Sequence, residues 1–116
     1  MDDAVLIETR IHLPDVPDWR PLVAVARLSR TSDVLLSLDE QDFMYMAAAS
    51  SVHCAFTIHL YKHQETRRYL NLDDAGHAYR YCGPVPGDTA DRMRGRYRLH
   101  QTLAAALLVA ADGAAA

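Results

Sequence analysis

The sequence predicts an α+β fold. An antiparallel sheet of about four strands, including a three-stranded meander, carries helices packed on one face, in the order β-α-α-β-β-β-α. Three observations predict it. Four stretches alternate apolar and polar residues with the period of two expected of half-buried strands. Three other stretches carry helix-start signals followed by apolar residues at helical spacing. The 116 residues suffice for one hydrophobic core, so residues 1–116 are read as a single domain.

Alternation opens the chain. Over residues 4–13, Val5, Ile7, Ile11 and Leu13 fall on one side, with Glu8, Arg10 and His12 on the other. Pro14 and Pro17 end this strand, because proline cannot donate to a ladder. Asp18 then caps a helix from Trp19 to about Ser29, with Pro21 in the first turn, where its missing N–H costs little. Leu22, Val25, Ala26 and Ser29 form the buried stripe; a strand through Val23-Ala24-Val25 is the competing reading. Ser37-Leu38-Asp39-Glu40 has the form of a capping box, so a second helix is expected to about Ser50. Its stretch from Phe43 to Ala49 is apolar all round, which calls for cover on more than one side. In so short a chain this suggests a second copy, hence a homodimer.

Three further alternating runs, Val52 to His63, Arg67 to Leu72 and His77 to Cys82, form the meander. Gln64-Glu65-Thr66 and Asp73-Asp74-Ala75-Gly76 supply its turns. Matching apolar positions sets Leu60 opposite Leu70, and Leu70 opposite Tyr79. The apolar face then contains Phe56, Ile58, Leu60, Leu70, Leu72, Tyr79 and Tyr81. The opposite face contains Tyr61, Tyr69 and Arg80 in one row, His59, Asn71 and Ala78 in the next, and His63, Arg67 and Cys82 in a third. Gly83 to Gly87 breaks the chain. Asp88 or Thr89 then caps a long last helix to about Ala111, which packs on the apolar face through Met93, Tyr97, Leu99, Leu103, Leu107 and Ala110.

Composition narrows the function classes. Half of the residues are hydrophobic, which is too many for a disordered chain. The net charge of −3 excludes a wholly basic nucleic-acid binder. No apolar run reaches the ~20 residues of a membrane span, so no membrane partner is expected. The charge is uneven: residues 1–42 sum to −5 and residues 43–116 to +2. Eleven of the twelve basic residues are arginine. Met1-Asp2-Asp3 lacks the features of a signal peptide, so a cytoplasmic protein is expected, with Cys54 and Cys82 as reduced thiols.

Two candidate surfaces follow. One is the sheet face bearing Tyr61, Arg67, Tyr69 and Arg80; tyrosine and arginine are enriched at binding hot spots. The other is the cluster Arg92, Arg94, Arg96 and Arg98 at the start of the last helix, where positive charge opposes the helix dipole and invites an anion. The expected function is a non-catalytic protein-interaction module of inhibitor, immunity, adaptor or chaperone type, a profile that fits a phage or mobile element. A nucleic-acid binder using the same basic surfaces is the alternative. A third reading is a ligand-binding protein or enzyme, in which Tyr45, His77, Tyr97 and His100 converge on a pocket between sheet and helices. Catalytic motifs such as Gly-x-Ser-x-Gly and His-Glu-x-x-His are absent. No Cys-x-x-Cys occurs, and His59 and His63 stand ~13 Å apart along a strand, so no metal or cofactor is expected.

Overall fold

Six antiparallel strands close into a barrel in sequence order in the computed structural model, which describes residues 7–33, 36–51, 56–84, 94–100, 102–103, 106–107 and 110. The strands are β1 Ile7–His12, β2 Phe43–Ser51, β3 Thr57–His63, β4 Tyr69–Asp73, β5 Ala78–Pro84 and β6 Arg94–Leu99. β6 pairs back onto β1, so the sheet has no free edge. Helix α1, Arg20–Thr31, and a short 3-10 turn, Glu40–Asp42, connect β1 to β2. The expected α+β arrangement, an open sheet of about four strands with several helices on one face, is therefore corrected to a closed barrel with one assigned helix. Beyond β6, Leu103, Ala106, Leu107 and Ala110 are helical.

The helix expected after Asp18 is present. Pro21, Leu22, Val25, Ala26 and Ser29 form its buried stripe. Asp18 accepts the Arg20 backbone N–H at 3.0 Å, while Trp19 occupies the N-cap position. The second expected helix is absent. Asp39, rather than Ser37, caps the 3-10 turn by accepting the Gln41 amide at 2.9 Å, and the apolar run that follows is β2. An apolar run without alternation does not distinguish a helix from a strand covered on both faces. β2 is such a strand: Ala47 and Ala49 join the barrel interior, whereas Phe43 and Tyr45 belong to the cluster that includes α1. The chain itself buries Phe43, Ala47, Ala48 and Ala49 of this segment and leaves Met46 exposed.

The last expected helix is also redrawn. Residues 85–93, including its start and Arg92, lie outside the described residues, and Arg94–Leu99 is strand β6. Gly95 serves this strand by its size: a Cβ there would lie 2.9 Å from the Tyr81 ring.

The meander of β3, β4 and β5 is present, but β4 is turned over relative to expectation. The observed register sets Leu60 opposite Asn71 and Asn71 opposite Tyr79, with Tyr61 opposite Leu70. A one-residue slip exchanges the two faces of a strand. Both turns differ from the expected lengths. The first spans four residues, 64–67, with Arg67 at φ 64°, a left-handed conformation uncommon for arginine. His63 Nδ1 organises it by accepting the Glu65 and Thr66 amides at 3.2 Å. The second spans three residues, 74–76, and closes on Gly76 at φ 85°.

Two cores explain why this register wins. The barrel interior gathers Ala47, Ala49, Ile58, Leu60, Tyr79 and Tyr97. The outer cluster joins Leu22 and Val25 of α1 to Phe43, Tyr61, Leu70, Leu72 and Ala78, with Ala106, Leu107 and Ala110. Turning Leu70 and Leu72 toward α1 buries both, at about 1.5–3 kcal/mol for each side chain. Asn71 and Asp73 are buried in exchange; Asp73 is paired, whereas Asn71 is paired through its amide nitrogen alone and its Oδ1 has no hydrogen-bond partner. Asn71 Nδ2 donates to the Tyr79 carbonyl at 3.1 Å. Asp73 accepts the Ala75 and His77 amides at 2.9 Å each and the Tyr79 hydroxyl at 2.8 Å.

Candidate functional site

An arginine surface forms where β5, β6 and β1 meet. Register sets Arg80 opposite Arg98, Arg96 opposite Glu8, and Arg94 opposite Arg10. Directly opposed residues share a sheet face, and alternate residues along a strand return to it. Because Tyr79 and Tyr97 point into the barrel, Arg80, Arg96 and Arg98 point outward. Arg10 is exposed on the same outer side of β1. Arg96 lies partly over the strand: its Nη2 donates to the Cys82 carbonyl at 3.5 Å, and its Nε is buried without a hydrogen-bond partner. The register thus gathers Arg10, Arg80, Arg96 and Arg98 on one outer face, with Glu8 among them.

The expected sites are redistributed. Tyr61 is fully buried in the cluster that includes α1, and its hydroxyl donates to the Asp18 carbonyl at 2.5 Å. Tyr69 belongs to the opposite face of the sheet, with the Lys62 ammonium 5.7 Å from its ring centroid. Arg67 is exposed in the β3–β4 turn. The four residues expected to share one sheet face therefore do not. Arg80 instead joins Arg96 and Arg98, which were expected on a helix. Arg10 was missed. The pattern Arg94-Gly95-Arg96-Tyr97-Arg98-Leu99 alternates with period two and could have revealed both the strand and its basic face.

A second constellation lies beside the N-terminus of α1. His59 on β3 is only 7% exposed. Its Nδ1 is 2.9 Å from the Tyr45 hydroxyl. Its Nε2 is 3.2 Å from Asp74 Oδ1 in the β4–β5 turn and 3.8 Å from Asp18 Oδ2 before α1. Arg20 forks onto the Asp18 carboxylate, with Nε donating to Oδ1 at 2.9 Å and Nη2 to Oδ2 at 2.7 Å. Trp19, Tyr45 and Tyr61 wall the site, with ring centroids 5.5–6.0 Å apart. Asp74 and Arg20 also border a cleft of about 480 Å³ lined by Ala24, Leu28, Gly76 and Leu103.

Charge in this constellation responds to pH. The hydrogen bond from Arg20 holds the Asp18 carboxyl at about 2, against an ordinary value of 3.8, and outweighs the opposing effect of burial. A depressed carboxylate contributes stability that is complete above its unfolded value and is lost as pH falls through its folded one. Stability should therefore decline between about pH 4 and pH 2. Arg20→Ala should flatten that decline only slightly, because the arginine is exposed and solvent screens its charge. Urea midpoints for both proteins across this range check the prediction; parallel curves would refute it. Burial pushes the hydroxyls of Tyr45, Tyr61, Tyr79 and Tyr97 up, so these phenols stay protonated near neutral pH.

The pocket expected to collect Tyr45, His77, Tyr97 and His100 does not form. Tyr97 lies in the barrel interior, and Tyr45 packs against the outer cluster. His77 is exposed in the β4–β5 turn. His100 is half-buried after β6, where burial, followed by the charge of Arg80, pushes its pKa down. Cys82 is a free thiol, and Cys54 lies outside the described residues.

No known family model matches the sequence, and neither a curated protein nor a solved structure matches the chain. Among the described residues, no helix is long and apolar enough to cross a membrane.

Proposed function

We propose that this protein is a non-catalytic interaction module that docks an acidic protein surface on the outer arginine face of β5, β6 and β1. The observation that carries the reading is the direct opposition of Arg80 to Arg98, with Arg96 and Arg10 alongside. Guanidinium forks bind carboxylates through two parallel N–H···O bonds, which suits an acidic partner surface. An inhibitor, immunity factor, adaptor or chaperone would each use such a surface. The free thiol of Cys82 suits a reducing compartment and supports a cytoplasmic location.

A carboxylate-bearing partner fits better than a nucleic acid. Single-strand binders interleave basic residues with aromatic stacking platforms. Among the described residues of this face, Arg10, Arg80, Arg96 and Arg98 stand with Glu8, His12 and Ala78, and no tyrosine, tryptophan or phenylalanine lies between the arginines. The net charge of −3 also works against a polyanion following the surface beyond this face.

Affinity capture from the native host tests the reading, with wild type and the double variant Arg80→Glu/Arg98→Glu compared, each with and without nuclease. The expected result is an acidic protein enriched by wild type, resistant to nuclease, and reduced about 30-fold or more by the double reversal. Equal recovery by both proteins would remove the proposal. Loss of binding on nuclease treatment would replace it with the nucleic-acid reading.

A further inference from the structure

We propose that Asp18, His59 and Asp74 form a binding site for a divalent transition metal, with zinc the ion that best suits their chemistry. The site is separate from the arginine face, and the proposal does not depend on the docking function. Its ligand atoms come from three segments: the loop before α1, strand β3 and the β4–β5 turn. All three lie within 4.8 Å of one another. Nitrogen and carboxylate ligands hold zinc at about 2.0–2.2 Å in a tetrahedron, whose corners are then about 3.3–3.6 Å apart. The two distances from His59 Nε2, 3.2 Å to Asp74 and 3.8 Å to Asp18, bracket that spacing.

The surroundings of the imidazole carry the inference further. A metal-ligating histidine is oriented by a hydrogen bond at its other ring nitrogen. Tyr45 supplies one: with the ring proton on Nδ1, the phenol oxygen accepts it and Nε2 presents its lone pair to the two carboxylates. The ring is buried among Tyr45 and Tyr61, so its direction is held by packing as well. Arg20 holds the Asp18 carboxylate through both oxygens, with Oδ1 also accepting the Arg20 amide; an ion taking Oδ2 displaces the Nη2 contact at 2.7 Å and leaves the two bonds to Oδ1 as the anchor. One imidazole and two carboxylates leave a fourth position of the tetrahedron for water.

Calorimetric titration of the whole chain with zinc chloride tests this, with cobalt(II) absorption reporting the ligand geometry. Wild type should bind one equivalent. Asp74→Asn should weaken binding about tenfold or more, and Tyr45→Phe about 10–100-fold. His77→Ala, outside the cluster, should leave the affinity unchanged. Asp74 is 71% exposed, so its variant retains the fold, which circular dichroism verifies. The proposal is overturned if wild type shows no saturable binding, or if Asp74→Asn binds zinc as wild type does.

Discussion

Tyr61→Ala is expected to reduce the free energy of unfolding by about 3–5 kcal/mol, the cost of truncating a large buried aromatic ring. The residue has no exposed surface and contacts both α1 and the neighbouring strands. Its ring stands 5.8 Å from Trp19 and 5.5 Å from Tyr45. Its hydroxyl ties β3 to the loop before α1 through the Asp18 carbonyl. Tyr61→Phe should separate the two contributions, losing only the hydrogen bond at about 0.5–1.5 kcal/mol. Urea denaturation followed by circular dichroism measures both. An exposed tyrosine on a binding face, as the sequence suggested, would give a change within about 0.5 kcal/mol; that outcome would contradict the covered face described above.

Asp73→Ala is the second substitution with a large expected effect, about 3–5 kcal/mol. Its carboxylate is buried and accepts two turn amides and the Tyr79 hydroxyl. Removing it leaves three donors without their acceptor, two of them at the turn that sets the register of β4 against β5. Each unsatisfied buried donor costs about 1–3 kcal/mol, less whatever water repays at the open side of the turn. Asp73→Asn retains one acceptor oxygen and should cost less than half as much. Removing both Asp73 and the Tyr79 hydroxyl in a double-mutant cycle should show a coupling of at least about 0.5 kcal/mol. Strict additivity would show that the two groups do not act as a pair.

Legibility in the sequence followed the number of covered faces. β1 and α1 each have one covered side, so Ile7 and Ile11, or Leu22 and Val25, repeat with a clean period. β2 is covered on both over residues 47–49, so Phe43 to Ala49 reads as apolar throughout and its alanines favour the helix assignment. In β6 the strand period is present, but the stretch falls inside the helix expected after Asp88 or Thr89. The arginine face was half legible for the same reason. Its residues were singled out, yet Arg80 was separated from Arg98 by an incorrect element, and Arg10 was left unassigned. The His59 site carried no sequence signal, because its ligands come from three segments with no characteristic spacing.

By itself, the sequence determined the local units: the alternating strands, the helix after Asp18, the presence of a turn before Ala78 though not its length, and an arginine-bearing C-terminal half. Periodicity and turn chemistry act over a few residues, and those are written locally. Closure of β6 onto β1, the inversion of β4 and the meeting of Asp18, His59 and Asp74 were decided by tertiary structure alone. Each depends on what covers the outside of the sheet. Once α1 covers that side, burying Leu70 and Leu72 beneath it outweighs turning Asn71 and Asp73 inward, where Tyr79 can pair with both.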